Sequence, residues 1–148
     1  MSKTILVSRP MFDDGTEYLS AYANKIIKFA NENNFLVKDL AKEQANKQEI
    51  EKFLTKKECS LVFLNGHGTD KEICGNKNKA IFSEENYYLL QDKITYARAC
   101  FAANNLGKKI VKDNEGCFIG YKYPFSFWID FRWSAKPLND KSAALYLE

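Results

Sequence analysis

The residues best suited to nucleophilic chemistry in this 148-residue chain are one histidine and four cysteines. His67 stands in Asn65-Gly66-His67-Gly68, and Cys100 closes Ala97-Arg98-Ala99-Cys100. A cysteine nucleophile needs a base to take its proton or a positive neighbour to lower its pKa. His67 can do either, and it can also protonate a leaving amine. As the single histidine, it must carry any imidazole chemistry the chain performs. Gly68 has no side chain, so its N–H can approach an oxyanion closely, and the Cys100 N–H can serve as a second donor. Acyl transfer from an amide or ester is the reaction these parts fit. Each residue also has a plain structural role. A histidine after a strand serves as a turn or core residue, and a buried cysteine packs as a small hydrophobe. The two together, at matching places, point to chemistry.

Zinc is the weaker reading. His67, Cys74, Cys100 and Cys117 are ligand types, but no short-spaced pair supports a site. No metal and no other cofactor is expected. The absence of any CxxC pair also removes the thioredoxin pattern.

Positioning these residues needs strands that end beside one another. Thr4-Ile5-Leu6-Val7-Ser8 is a short apolar strand ended by Arg9-Pro10. Asp13-Asp14-Gly15-Thr16 starts a helix, with Glu17 three residues after Asp14 in a capping-box-like pattern. Tyr18, Leu19, Tyr22, Ala23, Ile26, Ile27 and Ala30 continue it at helical spacing up to Asn31–Asn34. Phe35-Leu36-Val37 begins a second strand, and a polar helix is expected over about 41–56. Ser60-Leu61-Val62-Phe63-Leu64 suits a central parallel strand covered on both faces. Residues 69–83 read as a loop or hairpin, and 84–90 as a short helix. Lys93 to Ala97 is the next strand. Ala102, Ala103, Leu106 and Ile110 predict a helix beginning almost at Cys100, whose N–H groups and dipole would favour a thiolate. Cys117 to Tyr121 is a fifth strand, and an aromatic tail from about Ser126 ends in a helix near Asn139 to Tyr146.

Such alternation predicts a three-layer α/β/α sandwich on a mostly parallel sheet of about five strands, with right-handed crossovers. In such sheets ligands bind at the carboxyl ends of the strands, where His67 and Cys100 fall. If those strands are neighbours, the two side chains leave one sheet edge about 5 Å apart. They are then expected to face each other beneath a cleft.

Composition narrows the class. Lys plus Arg exceed Asp plus Glu by 22 to 19, a net charge of +3, with the lysines scattered. That gives no footprint for nucleic acid. No apolar run approaches the roughly 20 residues a bilayer span needs, and residues 1–10 read as a strand rather than a signal peptide. A cytoplasmic protein with reduced thiols is the expectation. The chain reads as one domain over 1–148, whole or cut from something longer. Its oligomeric state is not legible.

Leu61 to Gly68 resembles the apolar strand plus His-Gly motif of the caspase-like (clan CD) cysteine peptidases, which include caspases, legumain, separase, clostripain, gingipains and CHAT-domain proteins. Ile94 to Cys100 resembles the second motif of that superfamily, a strand closing in Ala-Cys. The likeness runs from about Ser60 to Tyr121. It is closer to the gingipain and CHAT branches than to caspases, because no Gln precedes Ala99-Cys100. The resemblance implies a peptidase dyad, with His67 as general base and acid and Cys100 as nucleophile. It also implies oxyanion donors at the Gly68 and Cys100 N–H groups, and a pocket beside the dyad for one preferred side chain of a peptide or protein substrate.

No segment clearly builds that pocket. Asp13 and Asp14 after the first strand, or Asp70 and Glu72 after the histidine, could receive a basic side chain. Arg98 could receive an acid, and strand alternation points it the same way as Cys100 if the strand reaches that far. Tyr121, Tyr123 and Phe125 could wall the pocket. All are equally at home as solvated charges or packing aromatics. Two further classes stand beside the peptidase. One is an inactive caspase-like or CHAT-type module binding a protein partner, for which Phe127 to Trp133 would suit an interface. The other is an unrelated doubly wound domain, but Arg9-Pro10-Met11-Phe12 matches no flavodoxin-like phosphate loop and no Rossmann or Walker motif occurs.

Overall fold

Ile5, Leu6 and Val7 fill the middle of Thr4–Arg9, and that run forms β1, paired in parallel on both sides. The structure is a computed structural model and describes residues 3–112 and 116–148. Met1 and Ser2 of the expected N-terminal segment, and 113–115 before the expected fifth strand, lie outside the described residues. The chain continues through α1 (Asp14–Glu32), β2 (Leu36–Ala41), α2 (Lys47–Leu54) and β3 (Leu61–Asn65). A short hairpin follows, β4 (Ile73–Cys74) against β5 (Ala80–Phe82). Then come β6 (Ile94–Arg98), α3 (Asn105–Ile110), β7 (Cys117–Ile119) and α4 (Lys141–Leu147).

The five-stranded sheet has the order β2-β1-β3-β6-β7, and every pairing in it is parallel. Strand alternation divides the core. Ile5, Val7 and Phe63 face α1, where they meet Ala23 and Ala30. Leu6, Val62 and Leu64 point the other way, into a cluster with Ile50, Leu54, Ile81, Phe82, Leu106 and Ile110. Helix α1 thus covers one face, while α2, α3 and the hairpin cover the other, giving three layers. The C-terminal segment adds a third cluster, in which Ala143 and Leu147 of α4 meet Tyr18, Leu19 and Tyr22 of α1. Tyr18 Oη–H donates to the buried Asp140 carboxylate at 2.9 Å, and Asp140 caps α4 through the Ser142 and Ala143 N–H groups. No helix among the described residues is long and apolar enough to cross a membrane.

Three local expectations change. The cap of α1 is Asp13 rather than Asp14: Asp13 Oδ1 accepts from Thr16 N–H, and Thr16 Oγ1 returns to the Asp13 N–H. The polar segment 41–56 splits into a single 3-10 turn, Lys42–Gln44, and the eight-residue α2 capped by Asn46. The helix expected at Cys100 begins five residues later. Phe101 adopts a left-handed conformation, φ 59°, which no helix propagates through. The Phe101 and Ala103 N–H groups donate instead to the Tyr123 and Tyr121 carbonyls. Helix α3 starts only at Asn105, so its dipole is not at the thiol.

Candidate active site

Strand order reverses around β1, which has β2 on one side and β3 on the other. Such a switch opens a crevice at the carboxyl ends of the strands. Asp13 follows β1 there, His67 follows β3 and Cys100 follows β6. Strands β3 and β6 are direct neighbours, with Asn65 opposite Arg98. His67 and Cys100 therefore stand at matching positions, each two residues beyond that pair. Gly66 lets the backbone turn here, since a Cβ would lie 2.2 Å from the Cys74 carbonyl oxygen.

His67 is exposed but held. Its Nε2 lies 2.6 Å from Asp13 Oδ2, and Phe12 packs edge-on to the ring at 5.8 Å between centroids. Facing a carboxylate, Nε2 is the nitrogen that carries hydrogen, which leaves Nδ1 as the free base of the neutral imidazole. Burial works against the charge on Asp13. Hydrogen bonds from His67 and Thr16 outweigh it and hold the carboxyl below its ordinary range.

Cys100 is partly buried. Its Sγ accepts the Phe125 N–H at 3.3 Å and lies 3.9 Å from the Phe125 carbonyl oxygen. The imidazole and the thiol make no hydrogen bond to each other in this arrangement. Gly68 packs against the cysteine backbone, where a Cβ would lie 2.7 Å from the Cys100 carbonyl oxygen. Gly68 opposes Ile73 in a bridge closed by Cys74 N–H to the His67 carbonyl and Thr69 N–H to the Glu72 carbonyl. Both of those bonds belong to the neighbours of Gly68, so its own N–H faces away from the hairpin. Neither that N–H nor the Cys100 N–H has an acceptor among the described residues.

His67 and Cys100 line one cleft, together with Gly15, Leu19, Gly66, Phe125, Ser126, Phe127 and Ile129. Its outer wall is the segment 125–129, whose side chains alternate. Phe125, Phe127 and Ile129 pack toward Tyr18, Leu19 and Tyr22, while Trp128 is 73% exposed. Only Phe125 of these was a pocket candidate by sequence. The alternation in Phe125-Ser126-Phe127-Trp128-Ile129 is the signal that could have found the rest.

The other candidates lie elsewhere or act otherwise. Asp13 touches the imidazole instead of standing free for a substrate. Asp14 is exposed in the first turn of α1. Asp70 accepts from Asn105 Nδ2 at 2.5 Å, and its carbonyl accepts the Leu106 N–H, so it steadies the start of α3. Glu72 is exposed, and its backbone closes the turn with Thr69. Tyr121 Oη lies 3.2 Å from Tyr96 Oη on the α1 side of the sheet, and its ring backs Phe125 at 4.5 Å. Tyr123 offers its carbonyl to Phe101 and leaves its ring in solvent.

Arg98 is only 4% exposed, and β6 ends on it, so alternation does not carry over to Cys100. Its Nε–H donates to Asn65 Oδ1 at 2.7 Å and an Nη2–H to the Leu19 carbonyl at 2.9 Å. The guanidinium sits 4.9 Å from the Phe63 ring centroid. Asn65 Nδ2–H donates in turn to the Ser8 carbonyl at 3.0 Å. These bonds tie together the carboxyl ends of β6, β3 and β1. Burial pulls the Arg98 pKa down to about 10.

No group of three or more His, Cys, Asp or Glu side chains among the described residues could hold a metal ion. No protein-family model, curated protein or solved structure matches the chain.

Proposed function

We propose that this chain is a caspase-like cysteine peptidase that cleaves a peptide or protein substrate with His67 and Cys100. The observation that carries the reading is their matched placement after neighbouring strands, on one cleft, beside two N–H groups without acceptors among the described residues. Cys100 Sγ adds to the scissile carbonyl while its proton passes to His67 Nδ1. The Gly68 and Cys100 N–H groups receive the oxyanion. The C–N bond then breaks, and His67 gives the proton to the departing amine. Water adds to the thioester, His67 takes its proton, and the acid leaves with the thiol restored. Asp13 acts through His67, fixing its tautomer and stabilising the imidazolium.

A second reading is a non-catalytic caspase-like module that binds a protein partner. It is favoured by the Phe125 peptide seated on the Cys100 sulfur and by the exposed Trp128 and Phe131.

Incubation with a peptide library, read by mass spectrometry, separates the two. New termini that appear with the wild-type chain, and vanish in both Cys100→Ala and His67→Ala, support the peptidase. Cleavage that persists in either variant, or none with the wild type, overturns it.

A further inference from the structure

We infer that the cleft beside Cys100 selects an uncharged, apolar side chain on the acyl side of the scissile bond, an inference that rests on the peptidase reading. The cleft encloses about 230 Å³, below the roughly 300–1,000 Å³ of sites that take a whole drug-sized ligand, and so fits a single side chain. Leu19, Phe125, Phe127 and Ile129 give it apolar walls.

The nearby charges are already engaged, save Asp14 beside Gly15, which stands exposed in solvent. The Asp13 carboxylate is on His67 and Thr16. Arg98 lies behind the wall, bonded to Asn65 and the Leu19 carbonyl. Asp130, next to Ile129, is paired with Arg132 at 2.5 Å. Apart from His67 and Cys100 themselves, Ser126 is the one neutral polar side chain among the described residues of the lining. A Lys, Arg, Asp or Glu side chain entering this space would lose water without gaining a buried counter-ion, which is costly. A Leu, Met or Phe side chain would bury apolar surface against the four walls.

The test uses peptides that differ only at that residue, Leu, Phe, Asn, Asp or Arg, in two formats. As chloromethyl ketones they label Cys100 in the full chain. As amides they are titrated onto Cys100→Ala, followed by backbone amide NMR shifts at Leu19, Phe127 and Ile129. The Leu and Phe peptides should label and bind at least about tenfold better than Asp or Arg, the scale on which apolar pockets discriminate. In Ile129→Asp, which places a carboxylate in a partly buried wall, the order of Leu and Arg should narrow or reverse. Equal or better binding of Arg or Asp to Cys100→Ala, or no binding of any peptide, overturns the inference. An unchanged order in Ile129→Asp also overturns it. Failure of every ketone to label Cys100 counts against the peptidase reading instead, while the amide titration still decides the selectivity.

Discussion

His67 Nε2 and Asp13 Oδ2 are 2.6 Å apart, so a helix cap and the loop after the third strand form one unit. Asp13 binds Thr16 with one oxygen and His67 with the other. Asparagine caps helices about as well as aspartate but carries no charge. Asp13→Asn is therefore expected to keep the melting temperature close to wild type while slowing peptide cleavage about tenfold or more. Thermal melts beside cleavage rates check this. A rate that falls only in step with stability would make Asp13 a cap and nothing else.

The same pair gives a pH dependence. The folded-state pKa of Asp13 lies below its ordinary value of 3.8, because the hydrogen bonds from His67 and Thr16 outweigh burial. A depressed carboxyl pKa adds stability that is fully present above the unfolded value and is lost as pH falls through the folded one. Below about pH 4 the wild type should lose denaturant resistance more steeply than Asp13→Asn, by the reference carboxylate pKa. Both side chains are partly exposed, so the difference will be small and will shrink in salt. Coincident curves at low salt would show that the pair adds nothing.

Arg98 fastens three strand ends from inside the protein. Replacing it with methionine keeps much of its bulk but strips donors from Asn65 Oδ1 and the Leu19 carbonyl. Each orphaned acceptor costs about 1–3 kcal/mol, so urea unfolding should show a loss of about 2 kcal/mol or more. A variant as stable as wild type would mean that relief from burying the charge balances the lost bonds.

Gly68→Ala tests the packing between the two motifs. The new methyl would meet the Cys100 carbonyl oxygen at 2.7 Å, closer than any real Cβ contact. Backbone must move, at a cost of about 1–3 kcal/mol for overpacking, and the two N–H groups lose their alignment. Cleavage should drop by more than the stability loss accounts for. Wild-type cleavage would remove Gly68 from the oxyanion role.

The strands of the central sheet were legible because β1, β3 and β6 are apolar runs, and each ends on residues that break the pattern. Their alternation with helices puts His67 and Cys100 at the carboxyl edge of a parallel sheet, while the fold supplies the direct pairing of β3 with β6. Other features depend on contacts between distant residues. The spacing of Ala102, Ala103, Leu106 and Ile110 suits a helix from Cys100, but the Tyr121 and Tyr123 carbonyls capture the backbone first. Asp14 and Glu17 look like a capping pair, yet Thr16 at the third helical position shifts the cap to Asp13. Arg98 looks like a free cation beside a cysteine, and only the fold brings Asn65 and the Leu19 carbonyl to it. The cleft wall was the least visible, since Phe127 and Ile129 take meaning from α1, more than a hundred residues earlier.

The most direct test of the central claim is the rate at which peptide ketone probes modify each cysteine, read site by site by mass spectrometry, in wild type and His67→Ala. The account predicts that Cys100 reacts selectively over Cys59, Cys74 and Cys117, and that His67→Ala abolishes this selectivity. Cys100 no more reactive than the other three, or equally reactive without the imidazole, would contradict the His67–Cys100 dyad.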